Sequence, residues 1–353
     1  MKGWCVVIAC AACALSVGAA AAPADRPGAE NDVLAGEITV EMDRAVTRGF
    51  EALSAMQGDD GSWGSARFGK HVGITALACL AFMSDGNLPG RGRYGDVVEH
   101  GLDFILNSVT ETGLIAADTS HGPMYGHGFA TLFLGELYGM TAGGPDSVRA
   151  ARIHESLLKA VRLIVQTQND EGGWRYNPVP HDADISVTIC QIMALRSARN
   201  AGIEVSKGTI DRAVEYVRVC QNEDGGFRYQ STMGGSAWPR TAAGVASLYY
   251  AGVYEDQALD RGLGYLETKA MPGKGLGVGS HYFYGHYYAV QAMYLAGGKH
   301  WALWWPAIRD ELVASQRSDE GVWHDGYAGS AYGTAMGLII LQMPKRYLPI
   351  FQK

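Results

Sequence analysis

Usable cysteine is scarce in this chain. Of its six cysteines, Cys5, Cys10 and Cys13 lie close to the N-terminus, which leaves Cys79, Cys190 and Cys220. Three widely separated cysteines are neither a disulfide framework nor a zinc-type cluster. Cys79 and Cys190 sit inside apolar helical runs, where buried thiols are the plain reading. Runs of Lys or Arg are also missing, and the formal net charge is -7, so nothing favours a nucleic-acid partner. After residue 22 no apolar segment is long enough to span a bilayer. Hydrophobic residues make up 47% of the chain and charged residues 18%, the balance of a globular protein with a large core.

The N-terminus reads differently. Lys2 precedes an apolar run from Val6 to Ala22, which ends in small residues just before Pro23. That is the layout of a secretory signal peptide cleaved near Ala22, with an uncleaved N-terminal anchor as the alternative. Val7-Ile8-Ala9-Cys10 imitates a lipoprotein site, but behind a very short apolar core. The expected organisation is a signal peptide over 1–22, a linker over 23–42 and a helical domain over 43–353, in a secreted or periplasmic protein.

Glycine is plentiful, with 47 residues, and it marks a repeat. Gln168 to Trp174 reads QNDEGGW, and Gln221 to Phe227 reads QNEDGGF. Gln57 to Trp63 is QGDDGSW, and Gln316 to Trp323 is QRSDEGVW, one residue longer. Amphipathic stretches leading into such copies carry a basic residue and then Gly or Ala: Arg48-Gly49, Lys159-Ala160, Arg212-Ala213. Two worn copies lack the Gln: His100-Gly101 leads to Gly113, and Arg261-Gly262 leads to PGKGLG at 272–277. The small residues Gly49, Gly101, Ala160, Ala213 and Gly262 are spaced by 52, 59, 53 and 49 positions, and a sixth unit ends at Trp323.

A repeat of this length suits two helices and their connections. The first is amphipathic, with Ile153, Leu157, Leu158, Val161 and Ile164 on one face. The second is apolar nearly all round, as in Ile74 to Phe82 and Thr334 to Met343. A helix apolar on every side is covered on every side, so the first helix of each pair faces water and the second lies inside. Asp-Gly and Gly-Gly supply the positive φ of a sharp reversal. The Trp or Phe buries a large face against the next unit. The Gln is expected to bond orphan backbone groups at a neighbouring helix end. Six such hairpins close into a ring, an all-α (α/α)6 toroid, and closure leaves no terminal repeat with a bare apolar face.

These phrases resemble the QW-type repeats of the squalene-hopene cyclase and protein prenyltransferase β-subunit superfamily. The match is Arg/Lys-small, aromatic-aliphatic, Gln, then Gly-x-Trp, over most of 43–353. It extends to short bacterial proteins known by their prenyltransferase and squalene oxidase repeats, whose phrases MYGHGFATLFLGELYGM (124–140) and YGHYYAVQAMY (284–294) look like. The resemblance implies a toroid with ligand sites at the N-termini of the inner helices, around the mouth of a central cavity. It carries no firm function.

Aligning the six apolar helices on the residue that opens each run gives Thr75, Thr131, Thr188, Thr241, Tyr288 and Thr334. Four residues earlier stand His71, His127, Asp184, Ala237, Tyr284 and Ser330, on the same helix face. With that face inward, the mouth carries His, His, Asp and Tyr from different units. The expected ligand-binding set is His71, Tyr125, Trp238, Arg240, Tyr284, His286, Tyr287 and Tyr332. Any one His or Asp at a helix start is as readily a cap or a solvated end.

Proton-initiated cyclases present Asp-x-Asp-Asp with a protonated central acid. Here HDADISVT offers Asp182 and Asp184, then Ile185 in place of the third Asp. On that reading Asp184 is the acid, Asp182 and His127 tune it, and aromatic rings stabilise a carbocation; otherwise the two aspartates cap a helix. The chain is too short for the second α-barrel domain of hopene and oxidosqualene cyclases. Zinc-dependent prenyl transfer uses an Asp, a Cys and a His. His286 matches the His, but residues 229–244 offer neither other ligand, so no metal and no other cofactor is expected. Secreted toroids acting on polysaccharides are a further class, for which the aromatic wall, His127, His286 and Arg240 suit a sugar cleft. PGKGLGVG at 272–279 lacks the order of a phosphate loop. The expectation is a cavity for an apolar, isoprenoid-like or extended peptide ligand, with Asp-dependent catalysis open. A non-catalytic scaffold and a glycan-active lyase or hydrolase are the alternatives.

Overall fold

The computed structural model describes residues 36–117, 122–141, 146–273 and 281–352. Contacts divide the chain into Met1–Gly36 and Glu37–Lys353. The expected signal peptide and most of the expected linker lie outside the described residues, as does much of the PGKGLGVG stretch.

The second unit is built from helices in alternating roles. The helices with one buried face are α1 (Val40–Ala55), α3 (Gly95–Asn107), α5 (Ser147–Gln166), α7 (Lys207–Val219), α9 (Gln257–Lys269) and α11 (Gly298–Ser315). Between them come α2 (Val72–Met83), α4 (Met124–Thr141), α6 (Ile185–Asn200), α8 (Trp238–Tyr250), α10 (Tyr282–Ala296) and α12 (Gly329–Leu341). Side-chain caps start several of them: Thr39 caps α1, His71 caps α2, Asp146 caps α5, Asp184 caps α6 and Asp256 caps α9. Every residue of α2 is buried. In α1 burial is confined to Met42, Ala45, Val46, Gly49, Phe50 and Leu53.

The even-numbered helices pack in sequence order, α2 on α4 through to α10 on α12, and α12 returns onto α2. The ring is therefore closed, an (α/α)6 toroid. Five outer helices lean on the inner helix of the unit before them: α3 on α2, α5 on α4, α9 on α8, α11 on α10, and α1 on α12, while α7 lies between α6 and α8. The small residue of the repeat sits at that contact. A Cβ on Gly101 would lie 2.3 Å from Cys79 Sγ, and one on Gly262 would lie 2.4 Å from Val245 Cγ2.

The glutamines fasten one unit to the next. Gln168 Nε2 donates to its own turn at Gly172 O (2.8 Å) and to Thr209 O of α7 (2.9 Å), while Arg212 donates to Gln168 Oε1. Gln57 bonds Gly61 O (3.0 Å) and Val97 O of α3 (2.9 Å). Gln221 bonds Gly225 O (3.0 Å) and Ala258 O of α9 (2.8 Å), with Arg261 on its Oε1. Gln316 bonds Gly321 O (2.9 Å) and Ala45 O of α1 (2.8 Å), and Arg48 donates to its Oε1 at 2.6 Å. The acceptors are carbonyls inside the early turns of the next outer helix, not the orphan helix-end groups expected. In three of the four, the arginine before the small residue holds the other end of the amide. The turn also needs its glycine: Gly172 has φ 97°, and a Cβ there would fall 2.2 Å from Arg212 O.

The threonines used for alignment have a structural task. The main-chain N–H of the motif aromatic donates to a Thr hydroxyl at Trp63–Thr75 (2.9 Å), Trp174–Thr188 (3.1 Å), Phe227–Thr241 (3.0 Å) and Trp323–Thr334 (3.1 Å).

At the C-terminal ends of the inner helices, the 3-10 turn Pro349–Phe351 packs on α4 and α6. Buried Glu136 holds it, with Oε2 accepting from Ile350 N (2.8 Å) and Oε1 from Ser197 Oγ (2.7 Å). Burial pushes this carboxyl up to about 7. Among the described residues no helix is long and apolar enough to cross a membrane.

Removing a buried clasp leaves carbonyls and a guanidinium unpaired, so Gln168→Ala should cost about 2–4 kcal/mol in urea unfolding. Gln57→Ala, at a more exposed site without an arginine partner, should cost clearly less; equal losses would show that the clasp is not what holds the units.

Candidate functional site

At the N-terminal ends of the inner helices lies a cavity of about 390 Å³, within the range of small-molecule sites. Its wall is formed by His71, Ile74 and Leu77 from the start of α2, Tyr125 and Phe129 of α4, Tyr284 of α10 and Tyr332 of α12. Loop residues Phe68, Tyr176, His281, Asp325 and Tyr327 complete it. None of the lining residues comes from α6 or α8. The rings contact one another at its rim: Phe68 meets Tyr327 at 5.5 Å, and Tyr125 meets Tyr176 at 6.0 Å between centroids.

Of the expected ligand-binding residues, the structure brings His71, Tyr125, Tyr284 and Tyr332 together on this wall. His71 Nδ1 accepts from Gly73 N (3.1 Å) and Ile74 N (3.3 Å), so this ring nitrogen carries no proton. The other four stand elsewhere. Trp238 packs on Gly285, where a Cβ would lie 2.1 Å from its ring. Arg240 donates to Gly235 O at 3.0 Å and lies 5.9 Å from the Tyr229 ring. His286 is fully buried between Trp238 (4.7 Å), Tyr282 (4.5 Å) and Trp304 (5.8 Å), with neither ring nitrogen hydrogen-bonded. Desolvation lowers its pKa to about 3, so it is a neutral core residue. Tyr287 is buried beside Phe129 and Tyr288.

His127 is placed differently from its expected role beside Asp184. Its Nδ1 accepts from Ile115 N (3.1 Å), and its Nε2 lies 3.3 Å from Ala160 O. With Nδ1 accepting, Nε2 is the donor. Unit two has no Gln, and His127 does two tasks that the Thr hydroxyl and the Gln share elsewhere: it takes the turn's N–H and reaches a carbonyl of the next outer helix. Desolvation lowers its pKa to about 4.

Asp182 and Asp184 are linked through Arg175, which lies 2.6 Å from Asp182 Oδ2 and 3.5 Å from Asp184 Oδ2. Asp184 is completely buried. Its Oδ1 accepts from Ser186 N (2.8 Å) and Val187 N (2.9 Å), while Oδ2 has Tyr229 Oη at 3.5 Å. Burial outweighs these contacts and raises its pKa to about 6. Tyr284 Oη reaches Ser186 O at 3.4 Å, which ties the cavity wall to the first turn of α6. Among the described residues no three His, Cys, Asp or Glu side chains gather closely enough to hold a metal ion.

Sequence reasoning missed Phe68, Tyr176, His281, Asp325 and Tyr327. They belong to the loops before the inner helices, outside the helical register. Their one signal was local: aromatic residues just after the repeat's Gly-x-Trp, as in Tyr176 and Tyr327.

The fold has close counterparts of known structure. The type II terpene cyclase MstE from Scytonema superposes with a TM-score of 0.59 at 16% identity, over 88% of this chain and 100% of that one. A variant of that enzyme is also known in complex with its substrate geranylgeranyl dihydroxybenzoate. An inactive variant of an α-1,6-mannanase from Salegentibacter, in complex with α-1,6-mannotriose, gives a TM-score of 0.65 at 9% identity, over 85% of this chain and 98% of that one. A protein from Actinoplanes gives 0.59 at 16% identity, over 87% and 99%. No family model and no curated relative matches the chain. Identities this low establish a shared α/α-toroid fold and nothing finer.

The state of Asp184 has a measurable consequence. Its folded pKa, about 6, lies above the ordinary 3.8, so the folded chain binds this proton more tightly than the unfolded chain. That contribution is fully present below about pH 4 and is lost as pH rises through about 6. Asp184→Asn should therefore gain on the parent by up to about 3 kcal/mol from acid to neutral pH in urea titrations. A gap that is constant with pH would contradict a buried, reluctantly ionised carboxyl.

Proposed function

We propose that the ring mouth binds an apolar, isoprenoid-like ligand, in a protein exported through the N-terminal signal peptide. The observation that carries this is the lining. Phe68, Tyr125, Phe129, Tyr284 and Tyr332 line the cavity with Ile74 and Leu77, and among the described lining residues Asp325 is the one carboxylate. Asp325 Oδ1 is occupied by the N–H groups of Tyr327 (2.9 Å) and Ala328 (2.7 Å). Glycoside hydrolysis asks for two carboxyl groups facing the bond to be cleaved, and the described lining residues supply one. Aromatic faces over an apolar floor suit a hydrocarbon chain and would stabilise positive charge developing on it. The terpene cyclase of the same fold, which holds a geranylgeranyl compound, is consistent with this reading.

A second reading, acid catalysis on that ligand, is favoured by Asp184: a buried carboxyl with a pKa near 6, beside the first turn touched by Tyr284. Full turnover of the true substrate by Asp184→Asn would eliminate it.

The binding reading is tested by titrating the purified chain with a prenyl alcohol and, separately, with a manno-oligosaccharide, following tyrosine and tryptophan fluorescence. Saturable binding of the prenyl alcohol is expected, weakened about tenfold or more by Ile74→Trp, which fills the cavity. Binding of the oligosaccharide with no response to the prenyl alcohol would overturn it.

A further inference from the structure

Two phenol hydroxyls join buried Asp184 to the cavity. Tyr229 Oη stands 3.5 Å from Asp184 Oδ2. The hydroxyls of Tyr229 and Tyr176 hydrogen-bond to each other, and Tyr176 is part of the cavity wall. Arg175 steadies the pair, its guanidinium carbon 4.9 Å from the Tyr176 ring and 5.4 Å from the Tyr229 ring, with Asp182 on its other contact. Within Asp184 the two oxygens are unequal. Oδ1 has two short main-chain donors, whereas Oδ2 has the two 3.5 Å contacts from Arg175 and Tyr229. The less well served oxygen is where a proton is most easily accommodated.

We propose that Asp184, Tyr229 and Tyr176 form a hydrogen-bonded relay that presents the Tyr176 hydroxyl to the cavity as an oxygen-reading group, so that the ligand carries an oxygen function at this wall and is apolar elsewhere. This rests on the apolar-ligand reading above and narrows it to oxygenated prenyl compounds. Each hydroxyl has one proton, which fixes the logic. When Asp184 is ionised, Tyr229 donates to Oδ2 and Tyr176 donates to Tyr229. Tyr176 then offers the cavity lone pairs only and selects a donor, such as an alcohol. When Asp184 is protonated on Oδ2, the carboxyl donates to Tyr229, Tyr229 donates to Tyr176, and Tyr176 donates into the cavity. It then selects an acceptor, such as a carbonyl or ether oxygen. Turning the hydroxyls reverses the chain, and no covalent bond to carbon changes.

The pKa of Asp184, near 6, makes both states reachable around neutrality. The cation facing it is Arg175. The phenols of Tyr125 and Tyr284 and the thiol of Cys190 face it from α4, α10 and α6, and Tyr216 and Cys220 from α7 and the residue after it, all pushed upward by burial and therefore neutral in this range. His181 lies 3.9 Å from Asp182. His71 and His281 are on the cavity wall. The variant Tyr229→Phe separates the relay from these histidines, since it breaks the chain and leaves all three in place.

The test measures binding of farnesene, farnesol and farnesal to the full chain at about pH 5 and about pH 8, on either side of that pKa. Farnesol should exceed farnesene by about tenfold at the higher pH, the worth of one hydrogen bond, and farnesal should gain a similar factor at the lower pH. Tyr176→Phe should bring the three affinities to within about twofold of one another, and Tyr229→Phe should remove the pH dependence while an oxygen preference persists. Equal binding of hydrocarbon, alcohol and aldehyde by the parent chain would overturn the relay while leaving the apolar site standing, and so would an unchanged pH profile in Tyr229→Phe. No binding of any of the three would overturn both.

Discussion

A glutamine side chain reaching across a hairpin boundary is the contact on which the rest of this molecule depends. Its amide nitrogen spans the turn it belongs to and the outer helix that follows, and an arginine of that helix usually takes its oxygen. The same contact made by Gln316 reaches Ala45 and Arg48, so the last unit is fastened to the first as any unit is to its neighbour. Closure then buries both sides of every inner helix, and it is the reason that α2 and α12 can be apolar all round. It also brings the N-terminal ends of the inner helices together at one rim, where the cavity lies. At the opposite end the C-terminal turn, held on Glu136, packs on α4 and α6.

The rim divides into two regions with different chemistry. Around α2, α4, α10 and α12 it is open and aromatic. Around α6 it is filled by charge and hydroxyls: Asp182, Arg175, Asp184 and the Tyr229–Tyr176 pair. A buried carboxyl next to an apolar cavity is costly to ionise. Main-chain donors at the start of α6 and the nearby guanidinium hold it part-way, which leaves it poised and not simply neutral or simply charged. Tyr176 belongs to both regions.

The architecture was legible because its signal is repeated. Four nearly intact Gln-to-aromatic phrases, a recurring small residue and two kinds of helix all point to one closed ring, and the small residues prove to sit where helix presses on helix. Half of the expected binding residues lie on the cavity: His71 and Tyr284 at the aligned register position, and Tyr125 and Tyr332 two residues from it. The register misled where a unit is degenerate. His127 occupies the site position on paper, but without a Gln in its unit it is used to tie the turn to α5. His286 sits on α10 beside Gly285, a gap that Trp238 fills, so its ring is sealed in the core. The loop residue His281 was not legible, and Tyr176 and Tyr327 were marked only by following the repeat's aromatic, since loops have no period to align on and their approach to the cavity is a tertiary fact.

Closure has a direct experimental signature in amide hydrogen exchange of the inner helices, comparing the parent chain with Gln316→Ala. In a closed ring, weakening the joint between last and first units should lower protection in all six inner helices, including α6 and α8 on the far side, because they open together. Loss of protection confined to α1, α11 and α12, with α6 and α8 unchanged, is what an open stack of independent hairpins would give, and it would contradict the ring.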